Sequence, residues 1–150
     1  MEFLSIDTMQ MIYQITLAAV LGMLVGFERE YRGKPAGLRT YMLVALGAAL
    51  FTILSVASPA GDIGRSSFDP SRIASQVVVG IGFIGGGLII FKNDRMEGLT
   101  TAAGLWATAA IGMAVGFGFY IVAVYSTLLV LFVLWVLRAL EDHIHRNPQD

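Results

Sequence analysis

A carboxylate, an amide and a guanidinium recur at helical spacing in Asp69, Arg72 and Gln76, and the same row continues through Gly80, Phe83 and Gly87. Spacings of three and four put such residues on one face of a helix. The chemistry open to that face is cation handling, with Asp69 offering a hard oxygen and Arg72 tuning its charge. A plainer reading has Asp69 capping the helix, Pro70 at its first position, and Arg72 reaching to lipid headgroups. A lone carboxylate holds Mg2+ weakly, because that ion keeps several waters and takes one or two carboxylates with other oxygens.

A second charged group, Glu28-Arg29-Glu30, runs into Arg32-Gly33-Lys34-Pro35-Ala36-Gly37-Leu38-Arg39-Thr40. It is a short connector between two apolar runs. Gly33 and Gly37 supply permissive backbone angles and Pro35 stiffens the turn between them. Because the connector is short, Glu28 and Glu30 are expected close to Arg39. Such pairing makes either a salt-bridged turn or a small electrostatic site for a cation or an anionic partner.

Other patterns exclude chemistry. Gly80-Ile81-Gly82-Phe83-Ile84-Gly85 spells G-x-G-x-x-G, yet it lies inside an apolar run without the strand and acid a dinucleotide site needs. The chain has no cysteine, P-loop, H-E-x-x-H or nucleophile elbow, so an enzyme is not expected. No cofactor is implied, with Mg2+ the one candidate ligand. His143 and His145 fall together in a polar tail, where solvation explains them as well as metal binding does. No carboxylate or lysine sits mid-span, where proton-coupled pumps bury such groups. A net charge of −1 offers nothing to nucleic acid.

The elements that must position these groups are membrane helices. Of the 150 residues 56% are hydrophobic and 14% charged, and the apolar ones fall in blocks. The expected fold is all-α: one polytopic transmembrane domain over residues 1–150, with five spans near 9–27, 38–57, 73–91, 99–115 and 119–137. Glu2 and Asp7, with no early Lys or Arg, argue against a signal peptide. Residues 58–68 read as an irregular loop. Gly116-Phe117-Gly118 forces the last two spans into a tight antiparallel hairpin. Eight of the ten basic residues fall on one side of this arrangement and only Arg65 and Arg72 on the other. The amino terminus is therefore expected outside and the carboxyl terminus in the cytoplasm. No soluble domain is expected after the fifth span.

Small residues mark close helix packing. Gly80, Gly82 and Gly86 do so in the third span, where a locally unwound helix lining an ion site is the alternative. In the fourth span Gly104, Thr108, Gly112 and Gly116 form a stripe for another span or a second copy of the chain. Trp106, well inside that span, is expected to pack.

Three blocks together carry a resemblance. They are the stretch from Gly26 through the connector to Thr40, the stretch from Asp69 to Gly87, and Gly98-Leu99-Thr100-Thr101-Ala102-Ala103-Gly104-Leu105-Trp106-Ala107-Thr108-Ala109-Ala110-Ile111-Gly112. In this order they resemble the MgtC/SapB family of bacterial membrane proteins, in a short form lacking the cytoplasmic carboxyl-terminal domain of many members. The resemblance implies a multi-pass protein of the bacterial inner membrane, linked to magnesium homeostasis and adaptation to low Mg2+. Cation binding or transport is one route to that role. The other is a non-transporting regulator that binds partner membrane proteins or lipid. By motif, Glu28, Arg29, Arg32, Gly37 and Arg39 inside, with Asp69 and Arg72 outside, are the residues implied. The expected partners are the bilayer, further copies of the chain and other membrane proteins.

Overall fold

The computed structural model describes residues 6–57, 70–92 and 94–137. Among these, five helices follow in order: α1 (Ile6–Tyr31), α2 (Leu38–Ala57), α3 (Pro70–Gly86), α4 (Leu99–Gly116) and α5 (Tyr120–Phe132). A π-helical turn, Val133–Leu137, extends α5. A short antiparallel hairpin of β1 (Ile90–Lys92) and β2 (Arg95–Glu97) joins α3 to α4, pairing Ile90 with Glu97 and Phe91 with Met96. Thr8–Tyr31, Leu38–Ala57, Leu99–Gly116 and Tyr120–Leu137 are each long and apolar enough to cross a bilayer. With 17 residues, α3 rises about 26 Å, at the short end of what crosses a hydrocarbon core. The chain is an all-α polytopic membrane protein.

Span 38–57 coincides with α2, and span 99–115 falls one residue short of α4. The third span differs from expectation. Its helix starts at Pro70 and stops at Gly86, and the residues expected to finish it turn into β1. Leu88 N–H donates to Gly85 O and Ile89 N–H to Gly86 O, both tight turns of the kind that end helices. Three successive glycines carry little helix propensity. The β-branched and aromatic run Ile89-Ile90-Phe91 then suits a strand. The helix is unbroken through Gly80 and Gly82, so the unwound alternative does not hold there. The cap expected from Asp69, the loop 58–68 and the tail with His143 and His145 lie outside the described residues.

Helices α1, α2 and α4 form the centre. On one side α3 lies against α2 and α4, and on the other α5 lies against α4 and α1. One core cluster joins Val25, Tyr41, Ala48, Leu105 and Ala109; a second joins Ala18, Leu21, Ala49, Ile111, Val115 and Ala123. Outward positions carry large apolar side chains, with Phe83 86% and Ile121 87% exposed, as a lipid-facing surface requires. Trp106, expected to pack, is 54% exposed and borders a cavity shared with Val78 and Ile81 of α3. Gly98 starts α4 at φ 92° and lies so close to the Leu88 carbonyl that no side chain fits. Gly118, at φ 83°, makes the turn into α5.

Candidate functional site

The charged end of α1 folds back on itself. Arg29 Nε donates to Glu28 Oε2, and Arg32 Nε lies 3.4 Å from Glu28 Oε1, one helical turn away. A glutamate four positions before an arginine is the favourable order on a helix, and the cations sit where the helix dipole is negative. The Arg29 side chain is 2% exposed and that of Glu28 11%, while Arg32, at 28%, lies nearer the surface, so the Glu28–Arg29 pair is the enclosed part of the cluster. Glu28 Oε1 and Arg32 Nε are enclosed without a hydrogen bond, so their contact is electrostatic only.

Glu30 points elsewhere. Its Oε2 accepts from Leu38 N–H at 2.9 Å, satisfying one of the free donors at the start of α2. Gly37 leaves room for this carboxylate, since a Cβ there would come 2.7 Å from Glu30 Oε2. The expected closeness of Glu28 and Glu30 to Arg39 therefore does not become an ion pair. Sequential neighbours and a backbone N–H reach the carboxylates first. Among the described residues Lys34 and Arg39 have no ion-pair partner, and both are exposed. Glu30→Ala should lower stability by about 1 kcal/mol and Glu30→Gln by less, read as thermal unfolding in detergent.

Below the connector, Tyr41 ties three helices together. Fully buried, it donates from its hydroxyl to Thr101 O at 3.1 Å. A Cβ at Gly26 would come 2.9 Å from Tyr41 Cβ, and one at Gly104 would come 2.7 Å from the hydroxyl. Further along α4, Thr108 Oγ1 returns to Gly104 O at 2.8 Å, and Gly112 meets the Ala45 carbonyl. The stripe of the fourth span thus faces α2 in the same chain.

Gln14, a polar residue in the apolar helix α1, makes a long-range tie that the sequence did not single out. It is 6% exposed, and its amide donates to Val115 O at 3.0 Å and Gly116 O at 3.2 Å. These are carbonyls at the open end of α4.

The other predicted residues do not gather with the Glu28 cluster. Asp69 lies outside the described residues. Arg72 and Gln76 are exposed in the first turns of α3, whereas it is the far end of that helix, Gly86 to Leu88, that shares a cavity with Pro35, Ala36 and Thr40. Gln76 is ten residues before Gly86, about 15 Å along the axis. The connector with Gly33 and the β-hairpin therefore share one end of the bundle, and Arg72 belongs to the other. Gly80, Gly82 and Gly86 do not pack within the chain: a Cβ at any of them would meet nothing within 4 Å. Gly82 and Gly86 border the cavity at the connector, and Gly80 borders a second cavity between α2 and α3. No group of three His, Asp or Glu side chains able to hold a metal occurs among the described residues.

The MgtC family model matches residues 15–143. The chain is 47% identical over 135 residues to YhiD of Escherichia coli (strain K12), named there as a candidate magnesium transporter, covering 89% of this chain and 63% of YhiD. It is 40% identical to SapB of Bacillus subtilis (strain 168), covering 83% of the chain and 57% of SapB. To MgtC of Salmonella typhimurium (strain LT2) it is 40% identical, covering 91% and 56%. The chain thus spans between 56% and 63% of the length of these three relatives. No solved structure matches it. With the family model covering residues 15–143 and a relative 47% identical over 89% of the chain, the chain belongs to the MgtC family.

Proposed function

We propose that this chain is a membrane domain acting in magnesium homeostasis at the bacterial inner membrane, with its connector and β-hairpin in the cytoplasm and no enzymatic activity. The observation that carries this reading is 47% identity to a relative named for magnesium transport, together with 40% identity to MgtC. Mg2+ would meet the chain at the outer end of α3, where Arg72 and Gln76 share a face and Asp69 precedes Arg72 by three positions. A hydrated ion suits one carboxylate with amide and water oxygens around it.

A second reading, a regulator that moves no ion and binds a partner, is favoured by the Glu28 cluster. Arg29 and Arg32 already hold that carboxylate, while Lys34 and Arg39 are exposed beside it. Mg2+ flux into proteoliposomes separates the two. The first reading expects saturable uptake that Asp69→Asn removes. Flux no higher than in empty vesicles, from folded protein that still rescues growth at limiting Mg2+, would establish the second.

A further inference from the structure

Two cavities adjoin between α2 and α3. The first, about 620 Å³, opens at the connector and is bordered by Pro35, Ala36 and Leu88. The second, about 720 Å³, continues between the helices and is lined by Leu43, Phe51, Val77 and Ile81, with Gln76 at its far end. Thr40 and Ile84 border both, so they form one cleft, lined mainly by apolar residues, with its mouth at the connector. Gly47 of α2 and Gly80 of α3 both line it. A Cβ at either would meet nothing within 4 Å, so the absence of side chains there keeps the cleft open.

We propose that this cleft is a binding site for one anionic phospholipid of the leaflet on the connector side. Length is the first argument. From Thr40 to Phe51 the cleft follows α2 for eleven residues, about 16 Å, and half of a hydrocarbon core is about 15 Å. One acyl chain laid from the connector along α2 fills that distance. Charge is the second argument. Arg39 stands one turn before Leu43 on the same helix face, and Lys34 adjoins Pro35 at the mouth. Both are exposed and free of carboxylate partners among the described residues. Glu28 is taken by Arg29 and Arg32, and Glu30 by Leu38 N–H, so the nearby acids leave these two cations free for a phosphate. The hairpin at the same end carries Lys92 and Arg95 against Asp94 and Glu97, which balances and does not repel an anionic headgroup. Basic pockets between helices on the cytoplasmic side are where such headgroups bind. The site requires that the connector face a leaflet rich in anionic lipid, and it is independent of whether Mg2+ crosses.

The test is retention of lipid by the purified full chain in detergent, counted by native mass spectrometry with phosphatidylglycerol and phosphatidylcholine of identical acyl chains. The proposal expects one phosphatidylglycerol per chain, retained roughly tenfold more tightly than phosphatidylcholine. Lys34→Gln with Arg39→Gln should bring the two lipids to parity. Gly47→Leu and Gly80→Leu, made separately, should each lose both lipids while the lipid-free protein unfolds no earlier than wild type. Equal retention of both lipids by wild type, or phosphatidylglycerol undiminished in both leucine variants, overturns the proposal. So does a wild-type dimer that Gly80→Leu splits without loss of lipid, because the cleft then belongs to a second copy. Failure of low-Mg2+ growth with lipid retention intact would count against the magnesium reading and leave this site standing.

Discussion

Gly112→Leu is expected to abolish the folded bundle. A single added carbon at this position would already press into the backbone carbonyl of Ala45, and a backbone oxygen inside a helix cannot swing aside. The flanking contacts offer no relief. A Cβ at Gly116 would lie 2.6 Å from Thr52 Cβ, and one at Gly104 would lie 2.7 Å from the Tyr41 hydroxyl. Helix α4 therefore meets the α2 backbone closely at Gly112 and Gly116 and the Tyr41 side chain at Gly104, and any side chain at Gly112 forces the pair apart. In lipid, helices associate through close packing and interhelical hydrogen bonds without a hydrophobic force to compensate. Separation would also strain the Tyr41 to Thr101 bond. The loss should exceed roughly 3 kcal/mol. Thermal unfolding and gel filtration in detergent would show it as aggregation or a collapsed midpoint, whereas Gly82→Leu, with open space around it, should behave as wild type. A Gly112→Leu protein melting within a few degrees of wild type would mean that α2 and α4 are not packed this way.

The second large effect belongs to Glu28. Glu28→Ala leaves the Arg29 guanidinium, 2% exposed, without its carboxylate, and breaking a buried pair from one side costs about 3–5 kcal/mol. Arg29→Met should cost less, because Glu28 keeps Arg32 within 3.4 Å. Removing both charges should restore much of the loss, since two absent ions need no desolvation. The double variant should therefore be more stable than Glu28→Ala alone. Losses that simply add would show that Glu28 and Arg29 are not coupled.

How much of this was readable beforehand depended on the kind of interaction. The ends of α2 and α4 follow from local signals: Pro35 and Gly37 before one, Gly98 before the other, and Gly116 to Gly118 after it. Such signals act over a few residues and survive in a sequence. The end of α3 was misplaced because hydropathy alone cannot distinguish an apolar strand from the last turn of a helix. The α4 stripe pointed to a contact face, but its partner on α2 is set by the three-dimensional arrangement. The same spacing at Gly80 and Gly82 meets no helix within the chain; there the small residues border cavities. Charges behaved similarly. Proximity along the connector suggested Glu28 with Arg39, yet Glu28 found Arg29 and Arg32 on its own helix. The role of Gln14 depends on carbonyls at the other end of the chain, which no local pattern encodes.

That last contact also sets an order of events during synthesis. The acceptors for the Gln14 amide lie 101 and 102 residues further along the chain. When α1 leaves the ribosome and enters the bilayer, neither carbonyl has been made. Until the whole of α4 arrives, the amide has to be satisfied by water, by the insertion machinery or by its own helix, because an unpaired donor in hydrocarbon costs several kcal/mol. Helix α1 consequently reaches its final seat only after three further helices have been threaded. Translation that halts before residue 116 leaves a nascent chain with its first helix still unlatched, open to quality control in a way the finished bundle is not.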